Sequence, residues 1–165
     1  MAEKPIVGIV MGSDSDLDIM RKCKDGLAEF GIASEMRVIS AHRTPDAAHE
    51  YAATARDRGL KLLVAGAGMS AALGGVLAAN TTLPVIGVPI NSGPLQGVDA
   101  ALSTMQMPPG VPVACMAIGS AGAKNAAVFA AEILAVSDAE LAEKLAQFKK
   151  TQAEKVAQKD KAIQD

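Results

Sequence analysis

The residues best suited to chemistry fall in three short runs: Gly12-Ser13-Asp14-Ser15-Asp16, Ser40-Ala41-His42-Arg43-Thr44-Pro45 and Gly66-Ala67-Gly68-Met69-Ser70-Ala71. The second sets an imidazole beside a guanidinium. Histidine exchanges protons near neutral pH, and arginine forks onto carboxylate or phosphate oxygens. In the first run, the Ser13 and Ser15 hydroxyls and the free N–H groups of a helix start could cradle an anion. Asp16 would repel a phosphate and better suits sugar hydroxyls or an exocyclic amine; an equally economical reading makes Asp14 and Asp16 plain helix caps. The third run offers glycines that let a ligand approach the backbone. A lone loop histidine is more often incidental, but the adjacent Arg43 and the position after a strand single out His42. His49 falls inside the following helical pattern and reads as a surface or packing residue.

Two strings in the third run imitate motifs without completing them. Gly66-x-Gly68-x-x-Ala71 matches a dinucleotide fingerprint, but it follows the third apolar run, and Ile86 and Val88 stand where an acidic ribose ligand belongs. Gly68-x-Ser70-x-Ala72 approaches a nucleophile elbow, yet no histidine follows Ser70, so the usual triad order has no base. Cys23 and Cys115 lie in apolar stretches without CxxC spacing, with too few partners for zinc, and both read as buried thiols.

These runs need elements to hold them. Apolar runs at Ile6–Met11, Ala33–Ile39, Lys61–Ala65, Pro84–Val88 and Val113–Ile118 alternate with helical spacing at Leu17–Phe30, Pro45–Arg58, Ala71–Asn80 and Ala121–Ala135. The strands are near-continuously apolar, as expected when crossover helices cover both faces of a parallel sheet. The pattern predicts an α/β chain folded as a three-layer αβα, doubly wound parallel sheet. Ligands in such sheets sit beyond the carboxyl ends of the strands at a topological switch point, where all three runs lie. Thr44 and Pro45 suit a helix start, and Gly31 and Gly59 suit helix ends. Ser137 and Glu140 read as a capping box for an extra C-terminal helix carrying Leu141, Leu145 and Phe148 before the polar stretch Lys149–Asp165. That stretch is either a solvated end or an arm on a neighbouring subunit. Between Ile90 and Pro112, the prolines and glycines predict an irregular loop, with Met105 and Met107 filling packing gaps.

The 165 residues suit a single catalytic domain over 1–165, with 137–165 a C-terminal helical extension. Half the residues are hydrophobic, enough for a substantial core. The formal charge of −2 comes without a basic block, so nucleic acid is an improbable partner. Aromatics at 2% leave little to stack on a flavin. The apolar run before Gly12 is too short for a signal peptide or a membrane span, and the chain is expected in the cytoplasm. A phosphate-accepting signalling module would use acids after the first strand, but the third strand ends in Ala65-Gly66-Ala67-Gly68 and supplies no aspartate.

The combination Met11-Gly12-Ser13-x-Ser15-Asp16, Ser40-Ala41-His42-Arg43-Thr44-Pro45 and Gly66-Ala67-Gly68 resembles the class I 5-(carboxyamino)imidazole ribonucleotide mutases of purine biosynthesis. The likeness continues through Leu83-Pro84-Val85-Ile86-Gly87-Val88-Pro89, Gln106-Met107-Pro108-x-Gly110-Val111-Pro112-Val113 and Ala117-Ile118-Gly119-x-Ala121-Gly122-Ala123-x-Asn125-Ala126. The resemblance implies a flavodoxin-like fold, a homo-octamer, and isomerisation of the carboxyamino nucleotide to its 4-carboxy isomer without ATP, metal or organic cofactor. By the same resemblance Ser13, Asp16 and Arg43 bind the ribonucleotide, Ser40 and Gly68 line the pocket, and His42 transfers the proton. The chain departs from the class I pattern at Ala72, Leu73, Gly74 and Gly75, where those enzymes commonly carry a His-Leu-Pro-Gly run. Class II enzymes, which carboxylate aminoimidazole ribonucleotide directly with carbon dioxide, also lack that histidine, but they usually carry lysine after the loop histidine. Arg43, Pro45 and Gly87-Val88-Pro89 favour class I, with direct carboxylation as the alternative.

Overall fold

The computed structural model describes residues 4–164. Residues 1–3, at the start of the chain, and Asp165, the last residue of the expected extension, lie outside the described residues. Among the described residues, five parallel strands form one sheet in the order β2-β1-β3-β4-β5. The strands are β1 (Val7–Met11), β2 (Ser34–Val38), β3 (Leu62–Gly68), β4 (Val85–Ile90) and β5 (Ala114–Cys115). Between and after them run α1 (Leu17–Glu29), α2 (Pro45–Thr54), α3 (Leu73–Ala79), α4 (Val98–Met105), α5 (Ser120–Ala135) and α6 (Ala139–Lys161). This is the flavodoxin-like, doubly wound architecture expected from the alternating pattern.

Alternate side chains of β1, β3 and β4 enter opposite cores. Ile9, Leu62, Val64, Ile86 and Val88 pack with Met20, Cys23 and Leu27 of α1 and the alanines of α5. Val10, Leu63, Ala65 and Val85 pack with Ala48 and Tyr51 of α2 and Leu73 and Leu77 of α3. Both faces are covered over β1, β3 and β4, so these strands carry no polar alternation, whereas the edge strand β2 alternates Glu35 and Arg37 with Met36 and Val38 and has no fully buried residue. On α5 the inward residues are Ala123, Ala126, Ala127, Ala130 and Ala131, all fully buried. Their small size draws α1 close: a Cβ on Gly26 would come within 2.8 Å of the Ala127 methyl.

The expected helix ends at Gly31 and Gly59 are present. Each glycine has positive φ (78° and 96°), and the next residue's N–H reaches back five residues, Ile32 to Leu27 O and Leu60 to Ala55 O. That geometry caps orphan carbonyls and requires a left-handed residue. The regular part of α2 nevertheless stops at Thr54, four residues before the expected end. Free thiols remain at Cys23 and Cys115. Cys23 is buried, and burial pushes its thiol up to about 12. Cys115 is only half-buried, because β5 is a two-residue strand at the sheet edge, well short of the expected Val113–Ile118.

Three further expectations need correcting. The Ile90–Pro112 segment contains α4, whose Pro- and Gly-rich flanks concealed its helical spacing. Met105 on α4 is exposed and fills no gap, whereas Met107 packs 3.2 Å from the Cβ position of Gly75. The cap of α6 is Asp138, whose Oδ1 accepts from Leu141 N at 3.0 Å, and Ser137 has no part in it. Leu141 and Leu145 dock this helix, and Phe148 meets Phe30 edge to face at 5.4 Å. Beyond Phe148 the helix continues to Lys161 with its side chains largely in solvent.

Candidate functional site

Crossovers leave β1 and β3 in opposite directions, towards β2 and towards β4, so the sheet's switch point lies between these neighbours. A cavity of about 600 Å³ opens beyond their carboxyl ends. Ser13, Asp16, Ser40, His42, Arg43 and Gly68 all line it, bringing together residues from three separated runs.

The loop after β2 is braced from within. Thr44 Oγ1 accepts from Ser40 N and donates to Ser40 O, both at 3.0 Å, so Thr44 closes the loop and does not cap α2 with its side chain. Ser40 Oγ accepts from Arg43 N at 3.2 Å and Nε at 3.3 Å. Arg43 Nη2 then donates to Gly12 O at 2.9 Å, tying the β2 loop to the β1 loop. This leaves Arg43 Nη1 without a partner among the described residues, a fixed cation with a donor to spare for an anion. His42 is exposed and makes no hydrogen bond among the described residues, so its imidazole is uncommitted. His49, as expected, is peripheral, with Nδ1 2.7 Å from Asn80 Oδ1.

In the β1 loop, Ser13 caps a single turn of 3-10 helix (Asp14–Asp16), its Oγ accepting from Ser15 N at 3.3 Å. Ser15 Oγ lies 2.9 Å from Ser13 Oγ and 3.2 Å from Asp16 Oδ1. Asp16 is not a side-chain cap: it makes no capping bond to α1, and it is only 6% exposed. Burial pushes its carboxyl above the usual range, only partly opposed by the hydrogen bond from Ser15 and the positive charge of Arg43. A buried carboxyl shifted upward by its burial, in a cavity beside a cation, is a candidate for contact with a ligand.

Gly66 and Gly68, expected in a loop after the third strand, lie within β3, which runs three residues past the expected end at Ala65, and they act differently from expectation. A Cβ on Gly66 would strike the Met20 sulfur, and one on Gly68 would overlap the Ser92 hydroxyl, so neighbouring side chains already fill both spaces. The open glycine is Gly12, where a Cβ would meet nothing within 4 Å. Met69 holds the left-handed conformation at φ 54° and packs against Gly93, joining the β3 and β4 loops. Ser92 lines the same cavity and went unrecognised in the sequence. Its signal was topological: β4 lies beside β3, so the residues after Ile90 had to open onto the same end of the sheet.

At the amino ends of β4 and β5, a depression of about 570 Å³ is lined by Thr81, Thr82, Leu83, Pro112 and Phe129, with no ionisable side chain on its wall. Comparable volume there comes without convergent chemistry. Among the described residues no helix is long and apolar enough to cross a membrane, and no group of three or more His, Cys, Asp or Glu side chains could hold a metal ion.

Known proteins are similar to this chain in sequence and fold. The family model described as AIR carboxylase matches residues 6–155. An N5-carboxyaminoimidazole ribonucleotide mutase of Pyrococcus horikoshii is 50% identical over 164 residues, 99% of this chain and 92% of that protein. The enzyme of the same name in Bacillus subtilis is 56% identical over 142 residues, 86% of this chain and 88% of that protein. The crystal structure of Treponema denticola PurE superposes with a TM-score of 0.84 at 32% identity, covering 98% of this chain and 99% of that one. A family match along most of the chain, joined to relatives about half identical over nearly its full length, establishes that this chain belongs to the AIR carboxylase family.

Proposed function

We propose that this chain is an N5-carboxyaminoimidazole ribonucleotide mutase, an isomerase of purine biosynthesis that converts the carboxyamino nucleotide to 4-carboxy-5-aminoimidazole ribonucleotide. The observation that carries the reading is the meeting of an uncommitted imidazole, a braced guanidinium and a buried carboxylate in one cavity, in a chain whose relatives bear that name. The family's description, AIR carboxylase, names the alternative reaction. The names of the half-identical relatives favour the mutase over direct carboxylation, and Ala72 does not reverse that.

In this reading Arg43 and Ser13 hold the phosphate, Asp16 takes hydroxyl or amine donors of the nucleotide, and Ser40 and Gly68 complete the wall. The N–CO2 bond breaks, carbon dioxide leaves, and the exocyclic nitrogen takes a proton from His42. The ring carbon then attacks the carbon dioxide, forming a C–C bond, and returns its proton to His42. Atoms and protons balance, and neither oxidant nor metal is required. The histidine must both give and take, which an imidazole near neutral pH does well. Carbon dioxide must be kept from water between the two steps. We place the whole chain in one catalytic domain with a helical extension, assembled as a homo-octamer in the cytoplasm.

Purified protein incubated with the carboxyamino nucleotide, without ATP or added metal, is expected to form the 4-carboxy product, and octamer mass is expected on sedimentation. No product from that nucleotide would overturn the mutase assignment.

A further inference from the structure

We infer that Ser92 is a substrate-binding residue of this site, its hydroxyl bonding to the carboxyl-bearing end of the nucleotide; the inference rests on the mutase reading above. Ser92 N donates to Ile90 O at 2.9 Å, a tight turn that folds the chain back at the end of β4. The side chain thereby enters the space where Gly68 lacks a Cβ. This packing fixes the half-buried hydroxyl on the cavity wall without a hydrogen bond. Among the described residues it has no partner, whereas Ser13 and Ser15 are bonded to each other and Ser40 accepts from Arg43. A hydroxyl that loses water when a ligand enters needs a new partner, or binding carries the cost of a stranded polar group. Ser70 also lines the cavity without a side-chain bond, but it is exposed and keeps its water.

Position selects the partner. Arg43 and the Ser13 turn meet over β1 and β2, where the phosphate has its cation. Ser92 rises from β4, two strand spacings from β1, or about 10 Å across the sheet. A nucleotide anchored by its phosphate on the β1 side spans that distance and presents its base to β4. The anionic carboxyl of the base accepts from a hydroxyl at this point. Gly68 is then required chiefly as the socket that holds Ser92.

Steady-state kinetics of the intact chain, Ser92→Ala, Ser92→Cys, Gly68→Ala and the double variant Gly68→Ala/Ser92→Ala test this, with melting curves as a folding control. Ser92→Ala and Ser92→Cys are each expected to lose about tenfold in kcat/KM without a lower melting point, because cysteine matches the size but is a poor donor. Gly68→Ala is expected to lose a similar factor by evicting the hydroxyl. The double variant should lose no more than about tenfold, since the new methyl takes the vacated place. Ser92→Ala within twofold of the parent, or losses that multiply to about a hundredfold in the double variant, would overturn the role of Ser92 and leave the mutase reading intact. A parent that does not turn over the carboxyamino nucleotide would overturn both.

Discussion

Two partly buried carboxylates at opposite ends of the sheet have opposite fates. Near the amino ends, Glu35 Oε1 accepts from Tyr51 OH at 2.7 Å and from Arg58 Nη1 at 2.6 Å. The Arg58 guanidinium also sits 4.4 Å from the centre of the Tyr51 ring. Burial raises the Glu35 carboxyl, but the bonds and charge of Arg58 and the Tyr51 hydroxyl more than offset it, and the net shift is downward. At the carboxyl ends, Asp16 is more deeply buried, and the Ser15 hydroxyl, the Ser13 backbone and the charge of Arg43 do not offset its burial, so it shifts upward. Glu35 is held by the fold, which even leaves Gly8 bare to admit the Tyr51 hydroxyl. Asp16 is held against its preference, at a cost in stability that a ligand can repay. In the proposed reading, chemistry in this fold resides where the polar groups are under-satisfied.

Variants sharpen the contrast. The largest effect belongs to His42→Asn, which is expected to lower kcat by about 10² to 10⁴, the range for removing a general acid–base, while leaving the melting point unchanged because His42 is exposed and unbonded. Stopped assays of product formation beside thermal melts check both halves. Asp16→Asn should lower kcat/KM by at least tenfold and yet raise the melting point at pH 7. The sign follows from linkage: the folded carboxyl binds its proton more tightly than the unfolded one, so its destabilising contribution is present above the raised pKa and is relieved as pH falls through it. A lower melting point for this variant would refute the strained carboxylate.

Glu35→Gln should do the reverse, costing about 1–3 kcal/mol in denaturant unfolding and leaving kcat/KM near the parent value, because it weakens the bonds to Arg58, whose buried Nη2 already lacks a partner among the described residues. Its depressed pKa contributes stability above the unfolded value that is lost as pH falls through the folded one, so the variant should also flatten the acid limb of the stability curve. Smallest of all is the exposed pair Lys149–Glu132 at 3.0 Å, where Glu132→Gln should change stability by less than about 1 kcal/mol and not measurably in high salt.

The strands and three site loops were legible because they follow from local rules: apolar runs of strand length, Gly at helix ends, and Ser, His and Arg just after strands. All six candidate residues come to one cavity because a parallel sheet places every such loop at the same end. α4 was missed because its Val98, Leu102 and Met105 stripe faces outward and the Pro- and Gly-rich flanks read as loop. Ser92 and the filled sockets of Gly66 and Gly68 were out of reach, since both depend on contacts between strands distant in sequence. The Ser137 box failed for a smaller reason: Asp138, one residue on, accepts from Leu141 N through the same spacing of three.

The central claim is that the carboxyl group moves within one site without exchanging with solvent. The direct test supplies the carboxyamino nucleotide labelled with carbon-13 in its carboxyl group, in buffer containing excess unlabelled bicarbonate, and reads the label in the 4-carboxy product early in the reaction. Retention of nearly all the label is the predicted result. Label diluted towards that of the bicarbonate pool, with equal product from aminoimidazole ribonucleotide and bicarbonate alone, would contradict the account and make the chain a carboxylase.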